Sequence, residues 1–326
     1  MKCCRYYINL MNPDNNGEAL GARPRRPKPV QDTKGTFTER MGTHMGQILQ
    51  LEHVSKSYED FQLQDVSFSL EQGCIMGLIG ENGAGKSTTM KLILDLIRRD
   101  GGSITILGHD NRSGLKTIKE HIGVVMDEAC FPECLTAKEI SRILKNIYRT
   151  YDEGRFLSYL SRYRLPMGKK VKEYSRGMKM KLSIAAALSH ESQLLILDEA
   201  TSGLDPVVRE ELLDTFLEFI QDERHSVLIS SHIMSDLEKI SDYITFIHQG
   251  RILFSEEKDL LKARYGILKC GKDTLSKIDP AVIEGRRENQ FGVEALVRRD
   301  RLRSGYAIDP AGLEDIMLFL VKHSGR

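Results

Sequence analysis

Residues 80–88 read Gly80-Glu81-Asn82-Gly83-Ala84-Gly85-Lys86-Ser87-Thr88 and fit G-x-x-x-x-G-K-[ST] without a mismatch. This pattern serves the binding of a nucleoside triphosphate. Glycines let the backbone wrap closely around phosphates, Lys86 reaches the terminal phosphates, and the Ser87 hydroxyl ligates Mg²⁺. A second acidic feature completes the chemistry. The run 194–199, Leu-Leu-Ile-Leu-Asp-Glu, ends in Asp198 and Glu199 at what reads as a strand terminus. Neighbouring side chains on an extended segment point in opposite directions. That spacing aims Asp198 at the metal and Glu199 at the terminal phosphate, where water must be positioned.

The elements around these residues must aim them. Residues 74–79 form a short apolar run, predicted as a buried strand, and 89–97 are apolar at helical spacing. Strand, glycine loop and helix point backbone N–H groups and a helix N-terminus at an anion. Alternating patterns at 48–54 and 61–70 predict two N-terminal strands. Further strands are expected at 103–107, 122–126, 194–197, 226–230 and 243–247, mostly separated by helices. This is an α/β pattern. It predicts a P-loop NTPase core with a mainly parallel sheet and an antiparallel β edge from the N-terminal strands. Between about 128 and 190 the strand signal stops, and helices over 136–151, 155–163 and 178–188 form an inserted helical subdomain. From 263 onward, strands at 266–270, 294–298 and 304–308 and a helix at 311–321 predict a small C-terminal α+β appendage. The expected domains are therefore a disordered extension over 1–46, an ATPase domain over 47–262 and an accessory unit over 263–326.

Taken together, these residues resemble the ATP-binding cassette (ABC) family over about 48–262. Walker A is 80–87 and Walker B is 194–199. Residues 201–206, Thr-Ser-Gly-Leu-Asp-Pro, match the D-loop and include Asp205, while Ser230-Ser231-His232 matches the switch histidine. Tyr58 falls where the family places an aromatic that stacks on adenine. The signature appears as Tyr174-Ser175-Arg176-Gly177-Met178 in place of Leu-Ser-Gly-Gly-Gln, keeping Ser175 and Gly177. At the Q-loop, Asp127 stands where the family usually has Gln, as a shorter, charged candidate ligand for Mg²⁺. Arg176 has two readings, a phosphate partner or a solvent-facing cation.

The resemblance implies ATP hydrolysis, with Glu199 activating water, His232 contacting the γ-phosphate and Lys86 holding the phosphates. It implies a second cassette subunit, closed head-to-tail so that Ser175 and Gly177 of one copy reach the ATP of the other. It also implies an integral membrane permease as partner and a cytoplasmic location on the inner face of the membrane. The C-terminal unit resembles exporter ATPases of the ABC-2 type, which export drugs, antimicrobial peptides or lipid-linked polysaccharides. The alternatives are a non-transport cassette acting on nucleic acid or the ribosome, and a regulatory cassette with weak turnover.

Composition narrows these. The chain has 326 residues, is 40% hydrophobic and carries a net charge of +1, so it has no basic footprint for nucleic acid. No second phosphate loop and no sustained heptads occur. Six scattered cysteines complete no zinc spacing and suit a reducing compartment. No apolar run reaches the ~20 residues of a membrane span. Residues 1–46, with Arg23-Pro24-Arg25-Arg26-Pro27-Lys28-Pro29, read either as an upstream extension ahead of a start near Met41 or Met45, or as a basic tail for lipid or RNA.

Overall fold

The computed structural model describes residues 46–113, 118–127, 131–290, 292–302 and 305–324. The tail expected over 1–46 lies, but for Gly46, outside them.

Strands β1 (Gln47–Ser57) and β2 (Gln62–Glu71) pair antiparallel, and β2 buries Leu63, Val66, Phe68 and Leu70 on one face. The short strand β3 (Ile75–Ile79) is buried at every position and leads through the glycine loop into α1 (Lys86–Ile93). Next come β4 (Gly101–Ile106) and the two-residue β5 (His109–Asp110). β4 does not join β3. It pairs antiparallel with β1, Leu49 opposite Ile106, so the N-terminal strands form a separate sheet in the order β2-β1-β4-β5. Its burial fits this placement. β4 is only half-buried, as suits a sheet with one covered face, whereas central parallel strands are covered on both.

The chain then forms β6 (Ile122–Val125), α2 (Ala137–Ile147), α3 (Glu153–Arg162), α4 (Arg176–Ala187) and β7 (Leu194–Asp198). It continues through α5 (Pro206–Phe219), β8 (Ser226–Ser230), α6 (Met234–Ile240), β9 (Tyr243–His248) and β10 (Arg251–Glu257). The central sheet has the order β10-β9-β3-β8-β7-β6. Five strands run parallel, and β10 pairs antiparallel with β9. β3, β6, β7 and β8 are buried throughout, as sheets covered on both faces require. The two sheets meet where the Gln64 N–H donates to the Gly250 carbonyl at 2.7 Å.

The insert is the expected helical one. Thr136 and Glu139 close a capping box on α2, and Asp152 caps α3. The insert is fastened to α5 by Lys181 with Glu211 at 2.6 Å and by a 2.9 Å hydroxyl contact of Tyr163 with Thr215.

The C-terminal region contains α7 (Lys258–Arg264), β11 (Tyr265–Cys270), α8 (Lys272–Leu275), β12 (Ile283–Asn289), β13 (Gly292–Arg298), β14 (Ile308–Pro310) and α9 (Leu313–Ser324). Its sheet order is β12-β13-β11-β14. The strand expected at 304–308 sits later, at β14, and β12 was not anticipated. The charged sequence of β12, Ile-Glu-Gly-Arg-Arg-Glu-Asn, hides its alternation. The first turn of α9 rests on α6, since Glu238 Oε1 accepts from the Leu313 N–H at 2.7 Å.

One buried histidine sets a pH limit on this fold. His190 is 1% exposed, stacks on Tyr148 at 3.8 Å, and its Nδ1–H donates to the Glu120 carbonyl at 2.9 Å. Burial lowers its pKa from 6.5 to about 4. The unfolded chain therefore takes up a proton that the folded chain refuses. The stabilisation is present above pH 6.5 and is lost as pH falls toward 4. Urea unfolding at pH 7 and pH 5 is expected to show a loss of about 2 kcal/mol in the wild-type chain that His190→Gln does not share.

Candidate functional site

The loop between β3 and α1 takes its shape from its glycines. A methyl group on Gly80 would stand 2.3 Å from the Ile247 carbonyl oxygen, and Gly85 adopts φ of 117°, a left-handed value closed to most side chains. Gly85 is also the N-cap of α1 and has no side chain to occupy the first-turn N–H groups. Those donors stay available for an anion. Lys86 is 5% exposed and folds back over the loop. Its Nζ donates to the carbonyls of Gly80 at 2.8 Å and Glu81 at 3.3 Å, and lies 3.6 Å from Glu199 Oε1. Glu81, Asn82 and Gly83 form the exposed rim of the loop, Ala84 is buried beneath it, and Thr88 lies in the first turn of α1.

The acidic pair reaches this loop from β7. Asp198 is 3% exposed, and its Oδ1 accepts from the Ser87 hydroxyl at 3.2 Å and the Ser230 hydroxyl at 2.7 Å. A hydroxyl and a carboxylate oxygen so close are hard oxygen donors of the kind Mg²⁺ takes while keeping several waters, so this donor set fits that ion.

Glu199 departs from the expected extended alternation. Its φ is 53°, and its N–H donates to both the carbonyl and the hydroxyl oxygen of Ser230, each at 3.1 Å. The chain thus turns left-handed directly after Asp198, and both carboxylates converge on the loop rather than pointing apart. Glu199 Oε2 sits 2.7 Å from His232 Nδ1. An ionised Glu199 has no donor, so the proton in that contact is on His232 Nδ1, on a half-exposed ring. Lys86, Glu199 and His232 therefore form one connected cluster. Behind it, on α6, burial raises the Asp236 carboxyl above its usual range, while Arg209 Nε at 3.4 Å opposes the shift.

The remaining expected residues lie on surrounding loops. Tyr58 is 48% exposed after β1, with Lys56 Nζ 5.6 Å from its ring centre. Its N–H donates to the Phe61 carbonyl, and the Phe61 ring lies beside Gly85. Ser175 is the N-cap of α4, accepting from the Met178 N–H at 3.2 Å. Gly177, in the first turn, faces Val208 with ordinary room for a Cβ at 3.4 Å. Asp205 caps α5 through the Val208 N–H at 3.0 Å. Asp127 is not gathered to Ser87 and Asp198 by any hydrogen bond. Its Oδ1 accepts from Arg176 Nη2 at 3.0 Å.

Sequence reasoning gave no role to three contributors. Ser230 holds both Asp198 and the Glu199 backbone, and Phe61 and Ile247 wall the loop. Only Ser230 had a sequence signal, two residues ahead of His232 at a strand end.

The comparisons agree with this geometry. The family model described as ABC transporter matches residues 63–202. The ABC transporter ATP-binding protein YtrB of Bacillus subtilis (strain 168) is 32% identical over 228 residues, 70% of this chain and 78% of that protein. The lantibiotic transport ATP-binding protein SrtF of Streptococcus pyogenes is 35% identical over 216 residues, 65% of this chain and 92% of that protein. A solved structure of an ATP-binding subunit of an ABC transporter superposes with a TM-score of 0.60 at 30% identity, covering 66% of this chain and 92% of that one. Sequence, fold and the clustering of two carboxylates on a phosphate loop converge, and the chain belongs to the ATP-binding proteins of ABC transporters and is an ATPase.

Proposed function

We propose that this chain hydrolyses Mg²⁺-ATP to drive a separate membrane permease, acting as one of two cassettes in a head-to-tail pair. The observation that carries this reading is the cluster of Lys86, Glu199 and His232 over the glycine loop, beside the Ser87–Asp198 contact.

Each residue has a role that follows from its position. The α1 N-terminus and the N–H groups of residues 80–88 hold the phosphates, and Lys86 Nζ balances charge on the terminal ones. Ser87 and Asp198 would hold the Mg²⁺, which when bound would draw charge from the phosphate oxygens and favour departure of ADP. Asp127 stays with Arg176 in this arrangement. Glu199 accepts the proton of the attacking water as its oxygen bonds to the γ-phosphorus. The bond from that phosphorus to the oxygen bridging it to the β-phosphate then breaks, leaving ADP and inorganic phosphate. His232 keeps the Glu199 carboxylate oriented through its Nδ1–H and, as the imidazolium, donates from its Nε2–H to the γ-phosphate. Tyr58 stacks on the adenine. Ser175 and Gly177 at the start of α4, with Asp205 at the start of α5, face the nucleotide of the second subunit.

Among the described residues, no helix is long and apolar enough to cross a membrane. In this reading the stroke passes to another polypeptide, which would hold this chain at the inner face of the membrane. The lantibiotic transport relative supports the reading as an exporter with drug, peptide or lipid-type cargo.

Three outcomes test the reading. Glu199→Gln is expected to lower steady-state phosphate release about 100-fold or more while ATP binding persists, since a general base contributes 10²–10⁴-fold; equal release by both proteins overturns the role of Glu199. Gly80→Ala is expected to weaken ATP binding at least about tenfold in titration calorimetry, because the obstacle is a backbone carbonyl that cannot rotate away. Affinity purification from detergent-solubilised membranes is expected to recover a multi-span membrane protein with the chain; recovery with ribosomes or nucleic acid instead overturns the transport reading.

A further inference from the structure

Arg176 occupies the first residue of α4, beside Ser175 and Gly177. A cation at a helix N-terminus is opposed by the helix dipole, so its presence there calls for a compensating contact. The structure supplies one, and a close neighbour beside it. Arg176 Nη2 donates to Asp127 Oδ1 at 3.0 Å, two residues beyond the end of β6. The same guanidinium covers Gly203, whose φ is 66°; a Cβ there would stand 2.9 Å from Arg176 Nη1. One side chain therefore touches three segments: the loop after β6, the start of α4, and the turn between β7 and α5. Beneath it lies a cleft of about 280 Å³ lined by Met126, Asp127, Arg176, Lys179, Met180 and Ser183. Two other fastenings of the insert, Lys181 with Glu211 and Tyr163 with Thr215, run to α5 and leave the loop after β6 untouched.

We infer that Asp127 and Arg176 are a matched pair of positioning residues for ATP hydrolysis, latching the first turn of α4 to the core so that Ser175 and Gly177 are held at a set distance from the phosphate loop. The inference rests on the proposed role of that turn in meeting nucleotide. Both side chains are about half exposed, and an ion pair of that kind adds little to folding stability. Its effect is on geometry, and it works only with opposite charges at the two positions. Lys179, one turn along α4, is occupied by Glu133 at 3.0 Å and does not substitute for Arg176.

A charge-reversal cycle on the full chain tests this. D127R and R176D are each expected to lower kcat about tenfold, with KM for ATP within about twofold, and D127R/R176D to recover most of the loss, as coupled neighbours do. Melting temperatures of all four proteins should agree within a few degrees. Hydrogen exchange at the amides of residues 177–180 gives an arm independent of turnover, faster in each single variant and restored in the double. Where a reversed charge prevents folding, D127N, R176Q and their combination replace the cycle, with each single variant expected to fall as far as the combination. Losses that multiply in the double variant, or exchange that stays fast in it, overturn the latch. Wild-type turnover in a Glu199→Gln control overturns the role of Glu199 instead, and the exchange arm still decides the latch.

Discussion

The carboxylate of Asp198 is the joint on which the site turns. It is nearly inaccessible to water, and a buried carboxylate is costly unless its oxygens are hydrogen-bonded. Ser87 from the start of α1 and Ser230 from the end of β8 provide those bonds. One side chain thereby ties the phosphate loop, the strand that carries the acids and the strand that leads to His232. Ser230 then accepts from the Glu199 N–H, which helps hold that residue in a left-handed conformation. Such a conformation costs on the order of 1–3 kcal/mol and persists only where the surroundings over-determine it. Here it swings the Glu199 carboxylate toward Lys86 and His232, where an extended strand would have carried it away.

The parallel sheet makes this convergence possible. β8 lies between β3 and β7, with Asp198 in register with Ser230. The glycine loop, the acidic pair and the switch histidine all leave the same edge of the sheet, where ligands bind in folds of this kind. The antiparallel sheet contributes the walls, through Leu63 and Phe61 against Gly85. The first turn of α4 approaches the turn after β7, where Arg176 lies against Gly203. The C-terminal region meets α6 through the start of α9, where the Leu313 N–H donates to Glu238.

Much of this was legible without coordinates. The spacing of 80–88, the acids at 198–199 and the strand–loop–helix context identify a phosphate site because each is local chemistry on a short segment. The central strands were readable because burial on both faces demands unbroken apolar runs, as in Leu194–Asp198. The insert was readable because helical spacing replaces those runs. The placement of β4 was not, since a strand pattern states burial but never names the neighbour. The strand β12 was hidden by its charges, which an outer strand tolerates.

The sequence by itself determined the inventory: a phosphate loop, two carboxylates, a histidine after a strand, and an Asp and an Arg at positions where the family carries other residues. Tertiary structure decided how these are paired. Hydrogen bonds and ion pairs depend on distances between residues far apart in the chain, and Asp127 and Arg176 are 49 positions apart. Read singly, one was a candidate metal ligand and the other a phosphate partner or a solvated cation. Folded, the loop after β6 and the start of α4 come within 3.0 Å, and opposite charges at that separation find each other.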